Sequence, residues 1–531
     1  MLASVLVLHD AVAVRGAPPG SPWMLLLPLG MYAAIAACTQ AIMWGCGRAL
    51  DQRGDPRALA WADRSLAASR VLTVVVHAAG VLLLGWVEQV RALIGDVVLL
   101  DELCVLIPPL AVFAAGWWAY EPIERRLREA VMVRNLDTGV PVYGHPSRVQ
   151  YVWMQVQHHV LLVLAPLVLV LAWSECIQLA VRYLHEHRGG ADLAGSIARG
   201  LFETGMAPEI LAGAQIAGVA AVFALSPLIV RVIWNVRPLE AGPLRERLLG
   251  LCAASGVRVR DVLVWRTHGT VLNGAAIGLL PRLRYILLTD ALLDQLPQNQ
   301  LEAVMAHEIG HARHHHIPWL AAGMMGMAGL LSMGAGMAYE WAAPRIAGPS
   351  AEGLAAGALD ITLGVLTLAV TVIGFGYISR RFEWQADAFA AAALSVPPSA
   401  PPAPPAPPAP PATLPDSQMA ARTVDAGGAE AMAGALETVA RLNHIPRGRK
   451  SFRHGSIRMR QERIAALVGR PVNRLPIDGV SRVIKWGAGA AIAGVIALMV
   501  FGPAERERSM DEGRGAHHRS AAGDEHSEVM P

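Results

Sequence analysis

The sequence predicts a multi-span α-helical membrane protein that carries a small α+β domain in its second half. Three observations lead to this fold class. The 531 residues are 54% hydrophobic, with a mean hydropathy of +0.39, and an ordinary soluble protein is less apolar than this. Apolar runs of about 20 residues, the length that crosses a bilayer, recur along the chain. Between two of these runs, short strand-like segments precede a helix that is rich in histidine.

The apolar runs predict eight membrane spans. Five come before residue 236, two follow the histidine-rich helix, and one lies near the C-terminus. They occupy, approximately, residues 23–45, 71–87, 98–120, 160–181, 210–230, 318–338, 359–378 and 486–502. Because the sixth and seventh spans form a hairpin, the chain after residue 378 returns to the side of the membrane that holds the histidine-rich helix.

The distribution of arginine predicts the orientation of the spans. The loops after the first and the third span are rich in arginine, which favours the cytoplasmic side. These residues are Arg48, Arg53, Arg57, Arg64 and Arg70 in one loop and Arg125, Arg126, Arg128, Arg134 and Arg148 in the other. Counting crossings from these loops, we expect residues 236–317 at the cytoplasmic face.

Charge and cysteine content exclude several classes of function. A formal net charge of +3 gives no reason to expect a nucleic-acid partner. The five cysteines lie in or beside apolar segments and form no C-x-x-C pair, which argues against a disulfide framework and against a thiolate metal site.

The histidine-rich helix, predicted over residues 301–314, holds the pattern H-E-x-x-H in His307, Glu308 and His311. Residues four apart lie on one face of a helix, so the two histidines can each direct a nitrogen at one metal ion. Glu308, adjacent to the first histidine, can reach a water on that metal. Zinc lowers the pKa of such a water and the carboxylate takes its proton, which is the chemistry of a metallopeptidase.

A third ligand is expected from a second helix in the segment SRRFEWQADAFA, where Glu383 and Asp387 are again four residues apart. Glu383 can complete a His/His/Glu set with a fourth position open, the arrangement of catalytic zinc sites. Asp387, one turn further along, can accept the free N–H of a ligand histidine. The alternative is that both carboxylates lie on the solvated face of an ordinary amphipathic helix.

The paired motifs resemble a known family. HEIGHARHHH, followed by two hydrophobic runs and then SRRFEWQAD, is similar to the membrane-embedded zinc metallopeptidases of the HtpX and CAAX prenyl protease type, over about residues 244–467. The resemblance implies a zincin-like α+β metallopeptidase domain with one Zn²⁺ per chain. It also implies His307, His311 and Glu383 as the zinc ligands and Glu308 as the general base.

Strand-like segments precede the motif. A predicted helix over residues 244–254 is followed by predicted strands over 257–265, over 270–278 and from 283 onward. The resemblance implies that substrate binds along the middle strand, at Asn273 and Gly278, by strand addition. From the residues alone, Asn273-Gly274 indicates a plain hairpin turn.

A late motif follows the proline-rich segment. Residues 429–443 predict an amphipathic helix, and FRHGSIRMRQERIAAL resembles the last motif of the same family, with His454 at its histidine position. Such a histidine can stabilise the oxyanion of a tetrahedral intermediate. The alternative is a surface histidine in a basic stretch. By contrast, we expect His314, His315 and His316 to snorkel at the membrane interface rather than to bind a metal.

These predictions divide the chain into eight parts. They are an N-terminal membrane region (1–235), the first part of the peptidase domain (236–317), a transmembrane hairpin (318–378), a third-ligand helix (379–396), a Pro/Ala-rich linker (397–416), the C-terminal part of the peptidase domain (417–480), a last span (481–503) and a disordered polar tail (504–531). The linker is expected to be an extended spacer, with a binding role as the alternative.

The sequence therefore predicts an integral membrane zinc-dependent metalloendopeptidase that hydrolyses peptide bonds of membrane-associated or misfolded proteins. Its expected partners are protein or peptide substrates and the lipid bilayer, and its expected location is a bacterial inner membrane with the active site facing the cytoplasm. The alternative is a non-catalytic multi-span protein, a transporter or scaffold, with a structural or vestigial metal site. A structural zinc normally has four protein ligands, and only three converge in this sequence.

Overall fold

The computed structural model describes residues 22–498, except for residues 56, 96, 98, 139–143, 188–189, 191, 204–206, 270, 348–353, 396–421 and 444. The predicted Pro/Ala-rich linker and the predicted tail lie outside the described residues. The chain forms two compact units that alternate along the sequence. The first comprises Met1–Leu239, Arg260–Val271 and Leu280–Gln295, and the second comprises Glu240–Val259, Leu272–Leu279 and Leu296–Pro531.

The first unit combines long helices with three short strands. Its helices are α1 (Pro22–Arg53), α2 (Arg57–Leu83), α3 (Trp86–Ile94), α4 (Leu100–Thr138), α5 (Arg148–Gln155), α6 (Leu162–Glu186), α7 (Leu193–Glu203), α8 (Ala207–Ile233) and α10 (Asp290–Gln295). A π-helical turn, Val156–Leu161, joins α5 to α6. The strands are β1 (Val236–Pro238), β2 (Asp261–Trp265) and β4 (Tyr285–Thr289).

The three strands of the first unit pair with β2 in the middle. β1 is antiparallel to β2, with Val236 opposite Trp265, and β4 is parallel to β2, with Asp261 opposite Tyr285. The sequence prediction missed β1 and began β2 four residues too early. The reason is that the Val257 N–H donates to the Cys252 carbonyl, 2.9 Å away, so this residue finishes the preceding helix instead of entering the strand.

The second unit holds most of the remaining helices and one strand. They are α9 (Pro243–Ala254), β3 (Gly274–Ile277), α11 (Gln298–Arg313), α12 (His316–Ala347), α13 (Leu354–Leu394), α14 (Ala426–Leu442), α15 (Ile457–Ala465) and α16 (Pro476–Leu498). The predicted middle strand, 270–278, is thus confined to four residues. The hydrophobic core of the second unit lies where α11, α13 and α14 meet. Many of the buried side chains there are alanines, such as Ala303, Ala306 and Ala391.

Eight helices in the described part of the chain are long and apolar enough to cross a membrane, as predicted. They occupy Leu25–Arg53, Arg57–Leu83, Leu100–Ala130, Arg148–Glu186, Ile210–Ile233, His316–Ile346, Ala355–Leu394 and Pro476–Leu498. Together with the small sheet, they confirm the fold class of a multi-span helical protein with an α+β element.

The seventh span and the expected third-ligand helix are one helix. The sequence analysis separated a span ending near residue 378 from a ligand helix over 379–396, because Arg380 and Arg381 end the apolar run. In the structure α13 runs unbroken for 41 residues through both segments. Neither proline nor glycine interrupts the stretch between Tyr377 and Leu394, so nothing in the sequence breaks the helix there.

Candidate active site

The H-E-x-x-H motif lies in the last two turns of α11, where His307 is buried and His311 is partly buried. Gly310, between the two histidines, is what allows α13 to approach. A Cβ added at Gly310 would lie 3.1 Å from the Ala386 Cα and 3.1 Å from Phe389, closer than side chains normally pack. This close approach brings the part of α13 that carries Glu383 and Asp387 beside the motif.

Three side chains converge on one point. The Nε2 atoms of His307 and His311 lie 3.2 Å apart, and Glu383 oxygens lie 3.6 Å and 3.7 Å from them. Zinc bonds of about 2.0–2.1 Å in a tetrahedral arrangement separate neighbouring donors by about 3.3 Å. The donor set and its spacing therefore fit zinc, and no other histidine, cysteine or carboxylate group among the described residues has metal-site spacing.

Glu308 lies beside this cluster with one oxygen fixed. The Ala276 N–H of β3 donates to Glu308 Oε2 at 2.9 Å. Burial raises the pKa of this carboxyl, and the His307 charge and the Ala276 hydrogen bond oppose the increase. A Cβ at Gly274 would lie 3.3 Å from the Glu308 Cγ, so the glycine at this position leaves room for the Glu308 side chain.

His307 is supported from behind by a buried ion pair. Its Nδ1 lies 3.0 Å from Asp387 Oδ1, at the position the sequence analysis expected. Arg460 of α15 donates two hydrogen bonds to the same carboxylate, at 2.6 Å and 2.7 Å. Asp387 and Arg460 are both almost fully buried, and the Arg460 guanidinium also lies 3.6 Å from Glu383 Oε2.

His311 is supported by a neutral chain of hydrogen bonds. Its Nδ1 lies 2.9 Å from His316 Nδ1, and His316 Nε2 lies 3.0 Å from Gln385 Oε1. The amide of Gln385 then donates to Asp478 at 2.6 Å. If His311 binds metal through Nε2, its Nδ1–H donates to His316, whose Nε2–H donates to Gln385, so every member is satisfied.

The interfacial interpretation of His316 is therefore wrong. The side chain is 2% exposed and its ring stacks on Phe382, with ring centroids 4.5 Å apart. The chain can place it there because α11 ends at Arg313 and His315 adopts a left-handed conformation with φ of 54°. This turn folds the start of α12 back toward His311, whereas a continuous helix would not. His314 is partly buried and His315 is exposed.

His454 joins the cluster from a loop after α14. Its Nδ1 lies 3.0 Å from Glu383 Oε2, and its side chain is 45% exposed. Of the two predicted substrate-binding positions, Asn273 is exposed immediately before β3, and Gly278 follows β3 with φ of 102°. The structure brings His454 to the donor cluster, and it sets Asn273 and Gly278 at the two ends of the strand that contacts Glu308.

One segment of the chain matches a known protein family. The model of Peptidase family M48 matches residues 238–401. This segment contains the motif of α11 and the ligand segment of α13, and it ends before His454 and Arg460.

Similar proteins point to the same class. A protein named Protease HtpX homolog from Campylobacter curvus is 37% identical over 119 residues, which is 22% of this chain and 41% of that protein. The chain thus spans less than half the length of this relative. Another Protease HtpX homolog, from Bacteroides fragilis, is 28% identical over 260 residues, 46% of this chain and 78% of that protein.

Among solved structures, the crystal structure of S. mikatae Ste24p aligns with a TM-score of 0.43 and 14% identity, over 85% of this chain and 100% of that one. The family match and the HtpX-named relatives confirm the predicted class, a metallopeptidase domain in a membrane protein. The metal follows from the same class, and the cluster of His307, His311 and Glu383 supports zinc. The roles of the individual side chains stay predictions.

Proposed function

We propose, from the family M48 peptidase domain that the chain carries, that this protein is an integral membrane zinc endopeptidase. It hydrolyses peptide bonds of membrane-associated or misfolded proteins at the cytoplasmic face. The observation that carries the proposal is the spacing of the nitrogen and oxygen donors of His307, His311 and Glu383 next to the carboxylate of Glu308.

Zn²⁺ held by these three donors supplies a Lewis acid that polarises a peptide carbonyl and lowers the pKa of water. Glu308 takes the proton of the attacking water and then gives it to the leaving amine. The Ala276 N–H holds one oxygen of Glu308, which leaves the other oxygen for the proton. The pKa of the buried Glu308 is raised, which brings the carboxyl closer to the range in which a general base also serves as an acid.

The remaining predicted residues act on orientation and charge. Asp387 accepts the Nδ1–H of His307 and so keeps Nε2 of that ring directed at the metal. His454 donates to the oxyanion that forms on the peptide carbonyl. Substrate backbone lies along β3 between Asn273 and Gly278. The Ala276 N–H is already committed to Glu308, so strand addition uses the other backbone groups of this strand.

The test is cleavage of an unfolded model protein by the purified full chain, with zinc counted in each sample. Glu308→Gln keeps the shape of the side chain and removes its proton transfer, so we expect cleavage to fall by about 10²–10⁴-fold with zinc retained. Glu302→Gln is the matched control, because Glu302 lies on the same helix and pairs with Arg247 on its other side; its activity should equal that of the wild type.

Two outcomes contradict the proposal. Equal cleavage by Glu308→Gln and wild type would remove Glu308 from the chemistry. A wild-type chain that holds zinc and cleaves neither the unfolded protein nor a membrane-anchored substrate would favour the alternative function, a non-catalytic membrane protein with a structural metal site.

A further inference from the structure

A strongly basic loop connects α14 to α15 and carries His454. Between Glu437 and Glu462 the sequence contains no acidic residue, and within the loop, residues 445–455, it contains four cationic residues. These are Arg447, Arg449, Lys450 and Arg453. Arg447 pairs with Glu437 at 2.6 Å. Within the described part of the chain, the side chains of Arg449 and Lys450 form neither a hydrogen bond nor an ion pair, and both residues are exposed.

The loop is folded into a fixed shape. Ser451 and Gly455 exchange two backbone hydrogen bonds, of 3.0 Å and 3.1 Å. Gly455 has φ of 77°, a conformation that a glycine adopts without strain. Arg380 of α13 donates to the Phe452 carbonyl at 2.8 Å. The cationic side chains are therefore presented by an ordered segment.

The packing of Phe452 shows which part of α13 this loop contacts. A Cβ added at Gly376 would lie 2.6 Å from the Phe452 ring, so the ring packs directly on the glycine. The Phe375 and Phe452 rings stack with centroids 6.3 Å apart, and the Arg453 guanidinium lies 5.7 Å from the Phe375 ring centre. Half of Phe452 remains exposed.

The position of Gly376 is the end of an apolar run. Residues 361–378 of α13 contain no charged side chain, and Arg380 and Arg381 follow after Ser379. Eighteen helical residues extend about 27 Å, close to the thickness of the hydrocarbon core. The half-exposed Phe452 and the nearby Tyr377, which is 45% exposed, are thus at the depth where aromatic side chains concentrate. Arg453 lies beside Phe375 at this level, and the exposed Arg449 and Lys450 belong to the same loop.

We propose that residues 447–455 are a binding surface for anionic phospholipids, and that the bilayer thereby positions His454 against Glu383. Arg449, Lys450 and Arg453 contact the lipid phosphates, and Phe452 lies at the edge of the acyl chains. His454 is two residues from Phe452 and reaches the Glu383 carboxylate at 3.0 Å, so the loop joins the lipid surface to the candidate site. The lipid contact stands by itself, and only its effect on cleavage rests on the proposed function.

The first test measures lipid binding without catalysis. The full chain carrying Glu308→Gln is titrated with phosphatidylglycerol or phosphatidylcholine in detergent, and bound lipid is counted by native mass spectrometry. Arg449→Gln/Lys450→Gln should weaken phosphatidylglycerol binding by about fivefold for each cation removed and leave phosphatidylcholine binding unchanged. Arg422→Gln/Arg470→Gln removes the same charge beside the Thr423–Pro471 bridge and should leave both unchanged. Equal losses in the two double variants, or no loss in either, would overturn the proposal.

The second test measures the coupling to the site. Cleavage is compared in nanodiscs with and without phosphatidylglycerol, and the readout is the ratio of the two rates. Wild type and the Arg422→Gln/Arg470→Gln control should give a ratio above one, and Arg449→Gln/Lys450→Gln should give a ratio near one. A variant that loses phosphatidylglycerol binding but keeps the wild-type ratio would overturn the coupling. A rise in KM that is equal in both kinds of disc would instead assign the loop to an acidic substrate and overturn the lipid surface.

Discussion

The two histidines of the motif are held by opposite kinds of support. Behind His307 stands a charged pair, Asp387 with Arg460, in which each member is almost fully buried. Behind His311 stands a mostly neutral chain, in which His316 and Gln385 are buried and only the last member, Asp478, is a carboxylate. Each support meets its histidine at Nδ1, and the Nε2 atoms of the two rings lie 3.2 Å apart at the common point.

The difference separates two ways of fixing a ligand. A carboxylate acceptor increases the electron density on its histidine and so strengthens its metal bond, but its charge must be neutralised because it is buried. A neutral acceptor needs no counter-ion and fixes orientation alone. We expect the charged side to dominate both the stability and the metal affinity of the site, and the following changes test this expectation in order of decreasing effect.

Arg460→Met should give the largest loss of stability. The substitution replaces the guanidinium, which pairs with Asp387 and lies 3.6 Å from Glu383, by an uncharged side chain. Two buried carboxylates then lose a counter-charge, which costs about 3–5 kcal/mol. Gln385→Leu, the corresponding change on the neutral side, should cost about 1–3 kcal/mol, since it leaves only uncharged or half-buried groups unpaired. Denaturant unfolding of the purified chain measures both. The double variant Asp387→Asn/Arg460→Met should recover most of the stability lost in Arg460→Met, because residue 387 is then uncharged. Equal losses in Arg460→Met and Gln385→Leu would contradict the comparison.

Zinc affinity should follow the same order. Asp387→Asn should weaken zinc binding by about 10–100-fold, because the histidine loses a charged acceptor. His316→Phe preserves the stacking on Phe382 and removes only a neutral acceptor, so its loss should be below about tenfold. Competition with a zinc-binding dye measures both, and a larger loss for His316→Phe would reverse the assignment.

Proton release distinguishes the two histidines in the metal-free protein. Burial lowers the His307 pKa, but the adjacent carboxylates of Asp387 and Glu383 outweigh it and raise the pKa to about 10. Burial and the His307 charge lower the His311 pKa to about 4. Between pH 7 and 9, zinc must therefore displace a proton from His307 and none from His311, and its affinity should rise with pH up to about 10.

Calorimetry in two buffers of different ionisation heat measures that release. We expect about one proton per zinc in the wild type and less in Asp387→Asn. The same pKa shift implies that protonated His307 stabilises the metal-free fold fully below pH 6.5, its ordinary pKa, and that this contribution is lost as the pH rises toward 10. A release of two protons, or of none, would show that the histidines are not held differently.

Asp478→Asn should have the smallest effect. Gln385 donates to Asp478, and the carbonyl oxygen of an asparagine accepts the same bond. The expected change in the free energy of unfolding is below about 1 kcal/mol, and zinc affinity should stay within about twofold of wild type. A loss as large as that of Gln385→Leu would mean that the charge of Asp478, rather than its hydrogen bond, supports the neutral side.

Of the two residues on the charged side, the sequence analysis predicted Asp387 and missed Arg460. Asp387 follows Glu383 by one helical turn, and from this spacing the sequence analysis expected Asp387 to face one of the ligand histidines without saying which. Arg460 was missed, although a signal was present. Ile457, Arg460 and Ile464 recur at helical spacing in α15, and a charged residue on the apolar stripe of a helix has to meet a buried counter-charge.

The neutral side could not be predicted in the same way. His316 reaches His311 only because His315 adopts a positive φ. The residue type does not predict this conformation, because a positive φ is uncommon outside glycine. Helical periodicity, which located the ligands, applies only while the helix continues, and α11 ends at Arg313. The spans were predicted well because a long apolar run has one main explanation, whereas the short strands depended on backbone bonds such as that of Val257.

Because α13 is continuous, it fixes the distance between its apolar run and Glu383. Glu383 lies five residues beyond Ile378, the end of the apolar run, and at 1.5 Å per residue this distance is about 7–8 Å. Because α13 has no break between Ile378 and Glu383, the length of this helical segment sets the distance of Glu383 from the hydrocarbon boundary. Under the proposed function, a membrane-anchored polypeptide would be cut within a few residues of the point at which it leaves the lipid, and a soluble segment would have to approach the membrane surface to the same distance.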